Sequence, residues 1–158
     1  MSSSRTNAHE VAGARVVAAG PTLDEALAVV RAARAHAARI GIAVTCCVVD
    51  AGGQPVVFAR GDGTALVTVD FAAGKAYTAA AWRMRSGELM AIAQPGGPGF
   101  GITTVNPRYV LAAGGVPVTR DGVVVGGVGV SGGLSEEDEE CALVAVAEVF
   151  GAGAEPVG

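Results

Sequence analysis

The spacing of apolar and polar residues along the chain predicts a first helix that begins after Thr22. Apolar residues recur there at helical spacing, in the segment PTLDEALAVVRAARAHAARIG. Thr22 and Glu25 are spaced to form a capping box at the start of this helix, and Gly41 stands where a helix-ending glycine is common. The predicted apolar side comprises Leu23, Ala26, Leu27, Val30, Ala33 and Ala37.

Valine-rich segments predict two hairpins. The apolar run IAVTCCVVD and the segment QPVVFAR are predicted to be strands that meet at the turn Gly52-Gly53. The second hairpin is predicted in VPVTRDGVVVGGVGVSG, where Asp121-Gly122 supplies a type I′ turn. Because hairpins join antiparallel neighbours, the predicted fold class is α+β, a single-domain antiparallel sheet of about five strands flanked by helices.

Three more helices are predicted. They are VDFAAGKAYTAAAW, with Thr68 as its N-cap, then SGELMAIA, and a last helix that begins at Ser135. The segment QPGGPGFGITTVNPR contains too many glycines and prolines for regular structure. We predict a flexible amino-terminal tail over residues 1–20, one domain over 21–151 and a carboxy-terminal tail over 152–158.

Composition narrows the class of protein. A net charge of −4 and a pI near 5.1 argue against nucleic-acid binding, which needs a basic stripe. No apolar run approaches the roughly 20 residues that span a membrane, and MSSSRTNAHE lacks the apolar core of a signal peptide, so we expect no membrane association and a cytoplasmic protein. Cys46, Cys47 and Cys141 are expected to be buried thiols, and no grouping of ligands predicts a metal site.

The helix that contains Lys75 is predicted to have two different faces. One face is small and apolar, which would let the helix lie close against the sheet: Val69, Ala72, Ala73, Ala76, Ala79 and Ala80. The other face gathers Phe71, Lys75, Thr78 and Trp82. Asp70 lies about 140° from Lys75 around the helix axis, so a direct ion pair between them is not expected.

Spacing alone leaves Lys75 with two interpretations. Its stem can extend past Phe71 and Trp82 to carry the ammonium group into water, as lysines commonly do. Alternatively, a lysine held among aromatic rings can bind an anion or, when desolvated, serve as an acid, a base or an imine-forming nucleophile. The same face of the helix would also suit a partner subunit or another helix.

The glycine-rich loop and the acidic run near Ser135 also have two interpretations each. Loops as long as residues 94–108 often bind ligands, and the loop offers Phe100, Gly101, Thr103, Thr104, Asn106 and Arg108. It is also compatible with an ordinary surface loop. The acidic run from Glu136 to Glu140 favours electrostatic stabilisation of a helix start over a metal site.

From about Thr22 to Phe150 the chain resembles the GlcG/HbpS-like family, often described as haem-degrading, which also supplies the carboxy-terminal domain of PduO-type proteins. The stretches that carry the resemblance keep their order: VVDAGGQPVVFARGDG, DFAAGKAYTAA, PGGPGFGI, GGVPVTRDGVVVGGVGVSGG and DEECA. The resemblance implies a sheet flanked by helices, homo-oligomers from dimer to octamer, and a pocket bordered by the Pro-Gly-Gly-Pro loop. Its Asp-x-Ala-x-x-Lys-Ala motif falls on Asp70, Ala72, Lys75 and Ala76.

The leading prediction is a homo-oligomer that binds a small, partly apolar anion. Lys75 and Asp70 are the candidate catalytic residues, and acid/base chemistry of lyase or isomerase type suits them without a required cofactor. The candidate ligand-binding residues are Phe71, Thr78, Phe100, Gly101, Thr103, Thr104, Asn106 and Arg108. The resemblance also allows a non-catalytic haem- or corrinoid-binding protein. A third alternative is a scaffold without a ligand, in which Phe71 and Trp82 belong to a subunit interface.

Overall fold

A computed structural model describes residues 20–152, and the predicted tails lie outside this range except at its edges. The first of these edge residues, Gly20, is buried, and its carbonyl accepts a hydrogen bond from Arg120 at 3.4 Å. The elements run in the order α1, β1, β2, α2, α3, a short 3₁₀ helix, β3, β4 and α4. Their bounds are α1 Leu23–Arg39, β1 Thr45–Asp50, β2 Pro55–Ala59, α2 Thr68–Trp82, α3 Ser86–Ile92, 3₁₀ Ile102–Thr104, β3 Gly115–Arg120, β4 Val123–Ser131 and α4 Ser135–Phe150.

The sheet has four antiparallel strands in the order β2-β1-β4-β3. This confirms the α+β class, although the prediction of about five strands was one too many for the described residues. Residues 105–114 do not add a strand, because the amide of Val110 donates to the hydroxyl of Thr78 on α2 instead of to a strand. The predicted turn at Asp121-Gly122 is confirmed, since both residues have positive φ, as type I′ requires.

Helices cover both faces of the sheet. On one face α1 and α4 bury a core that includes Cys46, Val48, Val118, Val128 and Cys141. On the other face α2 packs on Cys47 and Val49 through Ala72, Ala76 and Ala80. Because both faces are covered, Cys46 and Cys47 are both buried although they point in opposite directions. Burial raises the pKa of Cys47 and of Cys141 to about 11, which disfavours the thiolate form.

Two glycines of β4 explain why α2 lies so close to the sheet. A Cβ at Gly129 would overlap the carbonyl oxygen of Ala72, and one at Gly127 would overlap that of Ala76. The helix backbone therefore rests directly on the strand, which confirms the close packing predicted from the alanines. Because of this contact, the middle of α2, which includes Lys75, is buried.

Two helix predictions need correction. Thr22 and Glu25 form the predicted capping box, but Leu23 and Leu27 are 59% and 37% exposed, whereas Val29 is fully buried. The buried side differs because α1 packs on α4 as well as on the sheet. On α2 the N-cap is Val67, and Thr68 is the first helical residue, since its hydroxyl donates to the Ala65 carbonyl at 2.7 Å.

Candidate functional site

Lys75 is buried, with 1% of its surface exposed. Its ammonium group donates to Oδ2 of Asp138 at 2.7 Å and to the carbonyl oxygen of Val130 at 3.0 Å. The interpretation in which Lys75 extends to water is therefore wrong. The physical reason is the glycine contact between α2 and the sheet, which leaves the middle of the helix too deep for the side chain to reach the surface.

Asp138, in the first turn of α4, is the counter-ion of Lys75 and is 3% exposed. Its Oδ1 accepts hydrogen bonds from the amides of Gly132 and Gly133, at 2.9 and 2.8 Å. Three donors thus hold the carboxylate, and such hydrogen bonds are what a buried charge requires. The interpretation of the acidic run as helix-start electrostatics fits Glu137, whose carboxylate accepts from the Leu134 amide, but it does not account for Asp138.

Burial lowers the pKa of Lys75 below its ordinary value of 10.5, because removal from water disfavours the charged form. The hydrogen bond and charge of Asp138, and the charge of Glu139, act in the opposite direction and only partly offset this effect. A lysine ammonium has three hydrogens. Within residues 20–152, protein acceptors take two of them, so one position on the nitrogen remains for a ligand.

A pocket of about 250 Å³ adjoins this ion pair. The ring of Phe71 forms an apolar wall, with its centroid 5.7 Å from the nitrogen of Lys75, and Ser131 and Ser135 contribute hydroxyl groups. Solvent reaches the pocket, because Ala65, Val67 and Gly133 on its rim are exposed. The lining residues are Ala65, Val67, Thr68, Phe71, Lys75, Ser131, Gly132, Gly133, Ser135 and Asp138.

Asp70, the second candidate catalytic residue, lies elsewhere. Its side chain is exposed, and it is not among the residues that line the pocket. Lys75 pairs with Asp138 and not with Asp70, in agreement with the angle between Asp70 and Lys75 on the helix. A catalytic role for Asp70 stays a prediction.

Three of the predicted ligand-binding residues belong to a second region, at the other end of α2. Thr78 is fully buried, and its hydroxyl accepts the Val110 amide at 2.9 Å. Asn106 donates to the hydroxyl of Tyr77 at 3.0 Å, and Arg108 lies over the Tyr77 ring at 3.6 Å and donates to the Gly53 carbonyl at 2.9 Å. Tyr77 also stacks on Tyr109, with their ring centroids 5.9 Å apart.

The glycine-rich loop lies apart from the Lys75 pocket, since none of its residues is among the pocket's lining. Phe100 is 66% exposed, and Thr103 is also exposed. The hydroxyl of Thr104 donates to the carbonyl of Gly101 at 2.7 Å, inside the 3₁₀ turn. Ligand binding by these four residues stays a prediction.

Sequence reasoning missed Asp138, Ser131 and Ser135 as site residues. The Lys75–Asp138 pair joins residues that are 63 positions apart, so helical spacing could not reveal it. One signal was available: the stretch DEECA, which begins at Asp138, carries part of the family resemblance. The helix dipole is sufficient to explain a carboxylate at the start of a helix, so Asp138 does not stand out as a site residue in the sequence.

Comparison with known proteins identifies the family to which the chain belongs. The family model for the haem degrading protein HbpS-like matches residues 22–147. The chain belongs to the HbpS-like family. It is 37% identical over 126 residues to an uncharacterised 15.0 kDa protein from the dhaT–dhaS intergenic region of Citrobacter freundii, covering 79% of this chain and 89% of the relative.

The chain is also similar to a corrinoid adenosyltransferase and to a protein crystallised with haem. The corrinoid adenosyltransferase PduO of Salmonella typhimurium is 35% identical over 120 residues, which are 75% of this chain but only 36% of PduO. The crystal structure of a complex of PduOC with haem superimposes with a TM-score of 0.78 at 32% identity, covering 81% of this chain and 94% of that one. These similarities establish the fold and the family of the chain.

Haem is implied by the family, but the Lys75 pocket does not fit an axial haem ligand. Haem iron is held by His, Met, Cys or Tyr side chains. Within the described chain, none of these residue types lines this pocket. The one histidine of residues 20–152, His36, is buried, and its Nε2 lies 2.9 Å from Oε1 of Glu140. In the same range, no group of three His, Cys, Asp or Glu residues is arranged to hold a metal. None of the helices there combines the length and the apolar character that a membrane span requires.

Proposed function

We propose that this HbpS-like protein binds a small, partly apolar anion beside Lys75 and uses Lys75 for acid/base chemistry of lyase or isomerase type. The observation that supports this proposal is the desolvated Lys75–Asp138 pair at the wall of a pocket that solvent can reach. Buried ion pairs add little to stability compared with apolar side chains of the same size. A buried pair beside a pocket is therefore better explained by function than by folding.

Three features favour an anionic ligand. The nitrogen of Lys75 retains one position that no acceptor within residues 20–152 occupies. Ser135, which lines the pocket, is the first residue of the 16-residue helix α4, and the amino end of a helix attracts negative charge. Phe71 offers an apolar surface to the remainder of the molecule.

Acid/base chemistry is supported by the lowered pKa of Lys75. A catalytic base works best when its pKa lies near the working pH, and burial shifts the pKa of Lys75 in that direction. Asp138, 2.7 Å away, accepts the proton that Lys75 gives up and can return it. Removal of a proton from carbon beside a carboxylate is the simplest reaction of this type.

The test uses 2-hydroxy and 2-oxo carboxylic acids as probes. Isothermal titration measures their binding. NMR in D₂O measures exchange of the hydrogen on the carbon beside the carboxylate in the 2-hydroxy acids, and on the carbon beside the carbonyl group in the 2-oxo acids. We expect binding and exchange in the unmodified protein, and loss of both in Lys75→Met, with Arg108→Ala unchanged as the matched control. If Lys75→Met binds and exchanges like the unmodified protein, the proposal is wrong.

Haem or corrinoid binding is the second candidate, supported by the similarity to the PduOC–haem complex and to PduO. Because the Lys75 pocket supplies no axial ligand, haem would have to be held from outside this pocket. We therefore expect a haem titration, followed by the Soret band, to respond equally in the unmodified protein and in Lys75→Met. A titration with no saturating change in either protein would eliminate this candidate.

Assembly into a homo-oligomer and a cytoplasmic location complete the proposal. Exposed apolar side chains near the pocket, Leu66 at 73%, Val67 at 55% and Leu134 at 69%, support contact with further copies. The three cysteines are free and buried, which is common in a reducing compartment. Light scattering coupled to gel filtration tests the assembly, and a monomeric mass at micromolar concentration would contradict it.

A further inference from the structure

Lys75 is the one lysine in the sequence, and every other basic side chain except the two histidines is an arginine. An arginine in the same place would serve an ion pair as well or better, because its guanidinium is always charged and forms forked hydrogen bonds. What lysine offers and arginine does not is a nitrogen that can lose its proton and become a nucleophile. The presence of a lysine and not an arginine at this buried position therefore favours a role for the neutral amine.

The hydrogen-bond geometry suits a neutral amine. A neutral lysine nitrogen has two hydrogens and one lone pair. Asp138 and the Val130 carbonyl provide two acceptors for the two hydrogens, at 2.7 and 3.0 Å, which leaves the lone pair for the remaining tetrahedral position. Lys75 is one of the residues that line the pocket, which places a small molecule in the pocket next to its side chain.

We propose that Lys75 forms an imine with a small carbonyl compound in this pocket, and that the substrate class is the 2-oxo acids. A 2-oxo acid combines the anion that the proposed function requires with a carbonyl carbon that the amine can attack. This inference rests on the proposed function, because it assigns a covalent step to the same site. Phe71 would pack on the apolar end of the molecule, and the amino end of α4 would face its carboxylate.

The ammonium of Lys75 releases to water in the pocket the proton that no protein acceptor holds, and the neutral nitrogen attacks the carbonyl carbon to form a C–N bond. Water supplies one proton to the former carbonyl oxygen. Asp138 then takes one hydrogen from the nitrogen and passes it to the same oxygen, which departs as water. The products are a protonated imine and one water molecule, and Asp138 ends as the carboxylate.

The experiment traps the imine by reduction. The unmodified protein is incubated with pyruvate and then treated with sodium borohydride, and intact-mass and peptide mass spectrometry locate the modification. We expect one stable adduct on Lys75. Because no other lysine exists in the chain, the only competing amine is the terminal one, and modification there alone overturns the inference.

Lactate is the matched probe, since it has the carboxylate of pyruvate but no carbonyl group. If pyruvate and lactate both bind, Lys75→Met abolishes that binding and borohydride traps nothing, then the imine is wrong and the proposed binding function stands. If neither probe binds and nothing is trapped, both proposals fail. Trapping of pyruvate on Lys75 supports both.

Asp138→Asn tests the proton transfer, because an amide cannot accept and return the proton. We expect trapping to slow by about 100-fold, in the range typical of a lost acid/base partner. In the unmodified protein the trapping rate should level off at a pH below 10.5, because the pKa of Lys75 is lowered and its neutral form is populated earlier. In Asp138→Asn the plateau should begin at still lower pH, because Asp138 raises that pKa. A variant that was merely misfolded would lose trapping at every pH and would not move the plateau of the trapping rate to lower pH.

Discussion

Phe71 and Tyr77, both on α2, each hold a cation near the ring, yet the two regions differ in almost every other respect. At Phe71 the cation is Lys75, with its side chain 2% exposed and paired with Asp138. At Tyr77 the cation is Arg108, which is exposed and donates to a backbone carbonyl. The ring distance is shorter at Tyr77, 3.6 Å against 5.7 Å, so proximity to an aromatic ring does not identify the reactive group.

Burial is what separates the two cations. Removal from water shifts the protonation equilibrium of Lys75, whereas a guanidinium stays charged in any protein environment. Water also screens an exposed charge and reduces its contribution to stability. We therefore expect changes in the Lys75 region to have large effects on both stability and chemistry, and changes in the Tyr77 region to have small effects on stability alone.

The largest effect is expected for Asp138→Ala, which leaves the ammonium of Lys75 buried without a counter-ion. The free energy of unfolding should fall by about 3–5 kcal/mol. Urea denaturation followed by circular dichroism measures it. Glu136→Ala, an exposed acid on the same helix, is the control and should change stability by less than about 0.5 kcal/mol. Equal losses of unfolding free energy in Asp138→Ala and Glu136→Ala would show that burial of the ion pair has no special effect on stability.

A second large effect is expected where α2 touches the sheet. In Gly129→Ala the new Cβ would overlap the backbone of Ala72, so the whole helix must shift, and the loss should be about 3 kcal/mol, at the upper end for overpacked cores. Gly52→Ala, whose new Cβ would meet only one oxygen of the Asp50 carboxylate, at 3.3 Å, should lose little. The same denaturation experiment compares them. Tolerance of Gly129→Ala would show that Lys75 is not held deep by this contact.

A smaller effect is expected for Tyr77→Phe, which removes the hydroxyl that accepts from Asn106 at 3.0 Å. The loss of one hydrogen bond at a partly exposed site should reduce stability by about 1 kcal/mol. Ligand binding beside Lys75, measured by titration, should not change. A loss of ligand binding in Tyr77→Phe would show that the Lys75 region and the Tyr77 region form a single site.

The smallest effect is expected for Arg108→Ala. An exposed cation over an aromatic ring contributes about 0.5–1 kcal/mol, so the shift in the denaturation midpoint should be only just measurable. Arg31→Ala, another exposed arginine, provides the baseline. If Arg108→Ala instead abolished anion binding, the second region and not the Lys75 pocket would hold the ligand.

Much of the fold could be predicted because its signals are local. The capping box at Thr22, the type I′ turn at Asp121-Gly122 and the small-residue face of α2 each depend on residues a few positions apart. The side of α1 that is buried was predicted less well, since it depends on α4 as well as on the sheet. The candidate site was predicted in part: Lys75 and Phe71 line the pocket, whereas Asp138 was explained by its helix and missed.

Turn preferences and residue periodicity act over short distances, so the α+β class, the two hairpins and the helix that contains Lys75 follow from local patterns in the chain. A lysine and not an arginine occupies position 75. The burial of that lysine and its pairing with a carboxylate depend instead on how distant parts of the chain pack together. Gly127 and Gly129 admit the helix to the sheet, and the fold brings Asp138 to the buried nitrogen from 63 residues away. Burial and charge pairing are properties of that packing, and no local pattern contains them.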